Sequence, residues 1–121
     1  MTLRNWVLGI TLSTALFAAN PVVDQARKKI AEKKYDEAIT QLEGAYKAKP
    51  SPDVKKALAD AYLAKADALM ADESAPPRIK YPGALRSYRE VLKYDPANAK
   101  AKQNIATIEG IYKSMGRPIP Q

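Results

Sequence analysis

The chain has 121 residues, 46% apolar and 27% charged, which suits one domain of ordinary size around a single core. It contains no cysteine, which excludes disulfides, thiolate metal sites and a lipid-modified cysteine anchor. Histidine is absent too, removing the commonest general base and metal ligand, while a net charge of +7 invites anionic partners.

Met1 to Arg4 is charged, Trp6 to Ala18 is apolar apart from small hydroxyl residues, and Ala18-Ala19 precede Asn20-Pro21. This order predicts a secretory signal peptide over residues 1–19 and places the mature chain in the periplasm or outside the cell. The alternative is an uncleaved membrane anchor over residues 6–23, since Val22 and Val23 lengthen the apolar run and Phe17 weakens the exit site. Cleavage would remove Arg4 and leave +6 on the remainder.

Asn20 before Pro21 reads as a cap followed by proline in the first helical turn, and Val22, Ala26 and Ile30 then recur on one face. Lys33-Lys34 break that stripe. A second helix is expected from Tyr35 to about Ala48 with Ala38, Leu42 and Ala45 inward, stopped at Pro50. Ser51-Pro52 starts a third, carrying Val54, Leu58, Ala59, Tyr62, Ala66 and Leu69 to about Asp72. Residues 74–80 are expected to be a loop stiffened by Pro76-Pro77, presenting Arg78, Ile79 and Lys80. The fourth helix is expected from Tyr81 to about Tyr94. Asn98 caps a fifth, with Ala101, Ile105, Ile108 and Tyr112 inward, ending at Ser114 or Met115 before Gly116 and Pro118. Gly110 inside it costs about 1 kcal/mol relative to alanine. Residues 117–121 read as a flexible tail, and nowhere does the strict alternation of a strand appear.

The second and fourth helices are one pattern written twice. After Tyr35 come Ala38, Ile39, Leu42, Ala45 and Pro50; after Tyr81, in the same register, come Ala84, Leu85, Tyr88, Val91 and Pro96. A small residue beside large apolar ones lets two helix backbones approach while their neighbours fill the space alongside. These residues, with Leu58, Ala59 and Tyr62 on the third helix, resemble the tetratricopeptide repeat, a helix-turn-helix unit of about 34 residues. Ala26 to Ala59 spans 33 positions, but Ala59 to Ala106 spans 47, the excess falling between Ala59 and Tyr81. Gln25 and Lys29 depart from the family pattern, standing where the first unit should have a large apolar residue and an aromatic one.

The resemblance implies an all-α fold: antiparallel helix pairs stacked as a short right-handed superhelix over residues 20–116. The units cover about 20–51 and 52–97, and a capping helix covers 98–115. It further implies protein–protein interaction, because the first helix of each unit lines a concave face. Here that face comprises Val23, Arg27, Ile30, Lys56, Asp60, Leu63, Lys100, Gln103 and Asn104. A cationic and amide lining suits an acidic or extended peptide, although the family's clamp for chaperone tails is not reproduced. Tyr35, Tyr62, Tyr81 and Tyr88 read as packing residues. No nucleophile stands beside a base and no glycine-rich phosphate loop follows a strand, so neither an enzyme nor a cofactor or metal site is expected. Partner identity is open, self-association is compatible, and nucleic acid is not expected. The competing reading is a basic surface for anionic lipid or nucleic acid; the lysine doublets Lys28-Lys29, Lys33-Lys34 and Lys55-Lys56, interleaved with acids, look more like solvated helix faces.

Overall fold

A computed structural model of the chain describes residues 20–121, so the expectations for the leader, whether signal peptide or anchor, lie outside the described residues apart from Asn20–Val23. The fold is all-α. Five helices follow one another: α1 (Pro21–Ala31), α2 (Tyr35–Ala48), α3 (Pro52–Ala71), α4 (Pro77–Tyr94) and α5 (Ala99–Ser114), with no strand among the described residues. None of these helices is long and apolar enough to cross a membrane.

Side-chain caps start three of them. Asn20 Oδ1 accepts from the Val22 amide at 3.2 Å, Ser51 Oγ from Val54 at 3.2 Å, and Asn98 Oδ1 from Ala101 at 2.9 Å. Each takes up an amide that the first turn cannot satisfy, worth about 1 kcal/mol. Helix α1 ends differently. Lys33 adopts a left-handed φ of 62°, with its amide bonded to the Ile30 carbonyl at 2.9 Å and that of Lys34 to Lys29 at 2.8 Å. That pair of bonds is a Schellman motif built on lysine where glycine is usual.

Cross-helix pairs fix the directions. Gln25 meets Gln41 and Lys29 meets Glu37; Asp36 meets Lys65 and Glu43 meets Tyr62; Asp67 meets Tyr88 and Tyr62 meets Tyr94. In every case one helix advances as the other recedes, so α1/α2, α2/α3 and α3/α4 are antiparallel. Helix α5 turns back at Asp95–Asn98 to pack on α4, and α1 also touches α3.

Two apolar clusters result. The first joins Val23 and Ala26 of α1, Ala38, Ile39 and Leu42 of α2, and Val54, Ala57, Leu58 and Ala61 of α3. The second joins Ala59 and Ala66 with Ala84, Leu85, Tyr88 and Val91 of α4 and Ala101, Ile108 and Tyr112 of α5. Corresponding repeat positions do corresponding work: Ala38 and Ala84 are both fully buried, as are Leu42 and Tyr88. Each such large side chain is worth about 1.5–3 kcal/mol of transfer free energy. Tyr62 and Tyr94 pack against both clusters and join them.

The structure departs from the sequence expectation in two places. The extra residues of the second pair do not form a loop over 74–80, because α4 begins at Pro77 and includes Arg78, Ile79 and Lys80. Paired prolines forbid a helix on their N-terminal side but favour one on the other. The Pro76 carbonyl accepts from the amides of Ile79 and Lys80, both at 2.9 Å, and Pro82 falls inside the helix. The connection shrinks to Asp72–Pro76, where Asp72 Oδ1 takes the Ser74 amide at 2.9 Å and its hydroxyl at 2.6 Å, bonds that hold the Asp72 carboxyl below its usual range. At 20 and 18 residues, α3 and α4 therefore outreach α1 and α2, at 11 and 14. They approach closely there: a methyl group on Gly83 would stand 3.2 Å from Leu69 Cδ1. The second departure is the segment after α5, which is not loose. Ile119 is half-buried against the second cluster and Arg89 Nη1 donates to the Pro120 carbonyl at 2.8 Å. Gly110 is a tolerated weakness, as a Cβ there would meet nothing within 4 Å.

Candidate binding face

The nine side chains expected on the concave face have unequal fates. Val23 is buried in the first cluster, with 4% of its surface exposed, and offers nothing to a ligand. It sits three residues before Ala26, so α1 needs it to complete a narrow apolar stripe. Ile30 packs against the first cluster and Leu63 against the second, each keeping part of its surface open. Lys100 is engaged, its Nζ 2.6 Å from Asp67 Oδ2 on α3. Asn104 is half-buried beside the Tyr88 hydroxyl. Arg27, Lys56, Asp60 and Gln103 remain exposed.

Lys56 and Asp60 are brought together. One turn apart on α3, they line an open depression of about 380 Å³ with Pro52, Lys55, Ala59, Tyr94 and Asp95. Sequence reasoning missed Tyr94 and Asp95, because it assigned the face to the first helix of each unit and the far wall is the end of α4; it also passed over Lys55, the neighbour of Lys56 on α3. The available signal was Tyr94-Asp95 immediately before the closing Pro96.

Tyr94 is held rigidly. Its ring stacks on Tyr62, with centroids 6.1 Å apart and planes at 10°, and meets Tyr46 edge-on at 5.7 Å and 90°. Both arrangements suit the ring quadrupole. Burial first, then the nearby carboxylates of Glu43 and Glu90, raise the pKa of its hydroxyl, so it stays a neutral donor at physiological pH. The Tyr62 hydroxyl donates to Glu43 Oε1, fixing the second ring. The depression thus offers two exposed ammonium groups, two carboxylates and a fixed aromatic wall. Such a lining can pair with acidic side chains through charge-assisted hydrogen bonds while an apolar group rests on the ring.

The first-unit departures also find partners. Gln41 Nε2 donates to Gln25 Oε1 at 2.6 Å and Lys29 Nζ lies 3.7 Å from Glu37, so amide and ionic pairs close the seam that apolar residues would otherwise fill. Gln41 Oε1 is buried with no donor, a cost to this seam. Among the described residues no group of three acidic side chains is arranged to hold a metal ion.

Comparison with known proteins finds no matching family model, no matching curated protein and no matching solved structure.

Proposed function

We propose that this chain is a small scaffold of the tetratricopeptide type, working by binding rather than by catalysis, and that it grips an acidic, extended segment of a protein partner. The observation that carries the reading is the equivalence of Ala38 with Ala84 and of Leu42 with Tyr88, buried in the same roles in two successive antiparallel helix pairs. Stacked pairs of this kind leave the first helix of each pair with an open flank, and the proposal assigns to that flank the exposed Arg27 of α1 and Lys56 and Asp60 of α3. The arrangement as a right-handed superhelix belongs to the same proposal. So does placement in the bacterial envelope, which rests on the composition of residues 1–19.

Two measurements test this. Calorimetric titration of the full chain with a glutamate-rich peptide is expected to show binding that the double change Arg27→Glu and Lys56→Glu weakens at least about tenfold, the equivalent of roughly 1.4 kcal/mol. Unchanged affinity in the doubly reversed chain contradicts the assignment of the face. Mass spectrometry of the native protein is expected to find an N-terminus at Asn20, and an intact Met1 contradicts the envelope placement by cleavage.

A further inference from the structure

The residues that follow α5 form a seated strap. Gly116 takes a left-handed φ of 63°, its amide bonds to the Lys113 carbonyl at 3.0 Å, and the Arg117 amide bonds to Tyr112 at 3.0 Å. This Schellman turn sends the chain back across the end of α5 toward α4. There Ile119 is half-buried against the second cluster, and the Pro120 carbonyl accepts from Arg89 Nη1 at 2.8 Å. Arg89 is oriented in turn by Glu109 of α5, its Nη2 lying 3.8 Å from the carboxylate.

The chemistry of the seat is therefore specific. It packs one aliphatic side chain against the apolar cluster that α3, α4 and α5 build together, and Arg89 donates one charge-assisted hydrogen bond to the next carbonyl. Pro118 and Pro120 have no N–H to leave unsatisfied and carry a φ fixed in advance, so the strap gives up little entropy on docking. None of these contacts requires the segment to be covalently joined to α5: the seat reads a short proline-flanked segment, whatever it is attached to.

We propose that the α4–α5 seat is a binding site for an extended partner segment carrying an aliphatic residue between two prolines, and that Pro118–Pro120 is a competitor occupying it in cis. This reading does not depend on the Arg27–Lys56 face. A tether of a few residues holds the strap at a high effective concentration, so a free peptide binds the intact chain weakly and binds better once the strap is impaired. Loss of the half-buried isoleucine is expected to shift the apparent affinity for a competing peptide by about tenfold.

The test uses the full chain and a fluorescent peptide of sequence Gly-Arg-Pro-Ile-Pro-Gln. Its anisotropy is expected to report saturable binding to the Ile119→Asp chain about tenfold tighter than to the parent, with Ile119→Ser giving the same order. Arg89→Gln added to Ile119→Asp is expected to weaken that binding, and a peptide with aspartate in place of isoleucine is expected not to bind. Equal affinity for parent and Ile119→Asp, absence of saturation, or equal binding of the aspartate peptide overturns the proposal. A concentration-dependent dimer of the parent chain that Ile119→Asp abolishes also overturns it, because the occupant is then a second copy's strap.

Discussion

Asp67 is the residue on which the second half of the molecule converges. Its two carboxylate oxygens take the Tyr88 hydroxyl and the Lys100 ammonium, each at 2.6 Å, and so tie α4 and α5 to α3. Tyr88 has 1% of its surface exposed. Burial first, and then the Asp67 hydrogen bond and charge, raise its hydroxyl well above the ordinary value of 10.0, with Asn104 acting in the opposite sense. Tyr62 is raised likewise by burial and by Glu43. A folded pKa above the unfolded one means the native state holds the proton more tightly. The stabilisation is therefore complete below about pH 10 and is lost as pH rises through the folded values. Urea titrations are expected to show stability falling above about pH 10, with the phenolate absorbance of these residues appearing only on unfolding. Tyr88→Phe is expected to cost about 1 kcal/mol at neutral pH and to flatten that alkaline fall. A chain whose stability does not change across this window contradicts the burial of these hydroxyls.

Lys33 holds a conformation that glycine holds without cost. A side chain in the left-handed region is opposed by about 1–2 kcal/mol, partly offset in glycine by the greater freedom of the unfolded chain. Lys33→Gly is expected to raise the stability by about 0.5–1 kcal/mol in thermal or urea denaturation, and a loss instead contradicts the Schellman ending of α1. Nothing in the sequence marks this position, because Lys33-Lys34 reads as an interruption of the stripe and not as a turn of defined hand.

At the scale of the helices, the stop and start signals were legible wherever one residue type has one meaning. Asn20-Pro21, Ser51-Pro52 and Asn98 open helices at the positions where capping chemistry requires them. The Pro76-Pro77 pair was ambiguous, since proline both closes one helix and opens the next, and the expected start fell at Tyr81, one turn too late. Packing goes with the start at Pro77: Tyr81 is half-buried against the second cluster, and two residues on, Gly83 lies close to Leu69 of α3. This gives opposite predictions for one substitution. With the helix starting at Pro77, Pro82 lacks an interior amide donor and crowds the Arg78 carbonyl, so Pro82→Ala is expected to raise stability by about 1 kcal/mol or more. With a start at Tyr81, proline would sit in the favourable first turn and its removal would be neutral or destabilising. Hydrogen exchange at Ile79 to Tyr81 reads the same distinction locally.

At the scale of the whole molecule, apolar stripes with caps and prolines were enough to foresee five helices, and the repeated register of Tyr35 and Tyr81 was enough to foresee Ala38 and Ala84 turned inward. It was not enough to foresee which polar residues stay free. Lys100 and Asn104 turn toward Asp67 and Tyr88, a choice set by contacts across three helices, and Val23 is drawn inward because α1 has few other apolar residues. Gathering Lys55, Lys56 and Asp60 opposite Tyr94 likewise depends on where α4 ends over the start of α3. The composition after α5 forbids a helix and so suggests a loose end, yet Ile119 packs on the second cluster, which exists only once α3, α4 and α5 have come together.

Nuclear Overhauser spectroscopy on the full chain with tyrosine rings selectively labelled bears most directly on the stacking of these helices. Three rings from three helices meet at one point, Tyr46 of α2, Tyr62 of α3 and Tyr94 of α4. Cross-peaks from the Tyr94 ring to both others are the expected result. A Tyr94 ring with no contact to Tyr46 would mean that the second helix pair does not lie against the first, and the account would fail with it.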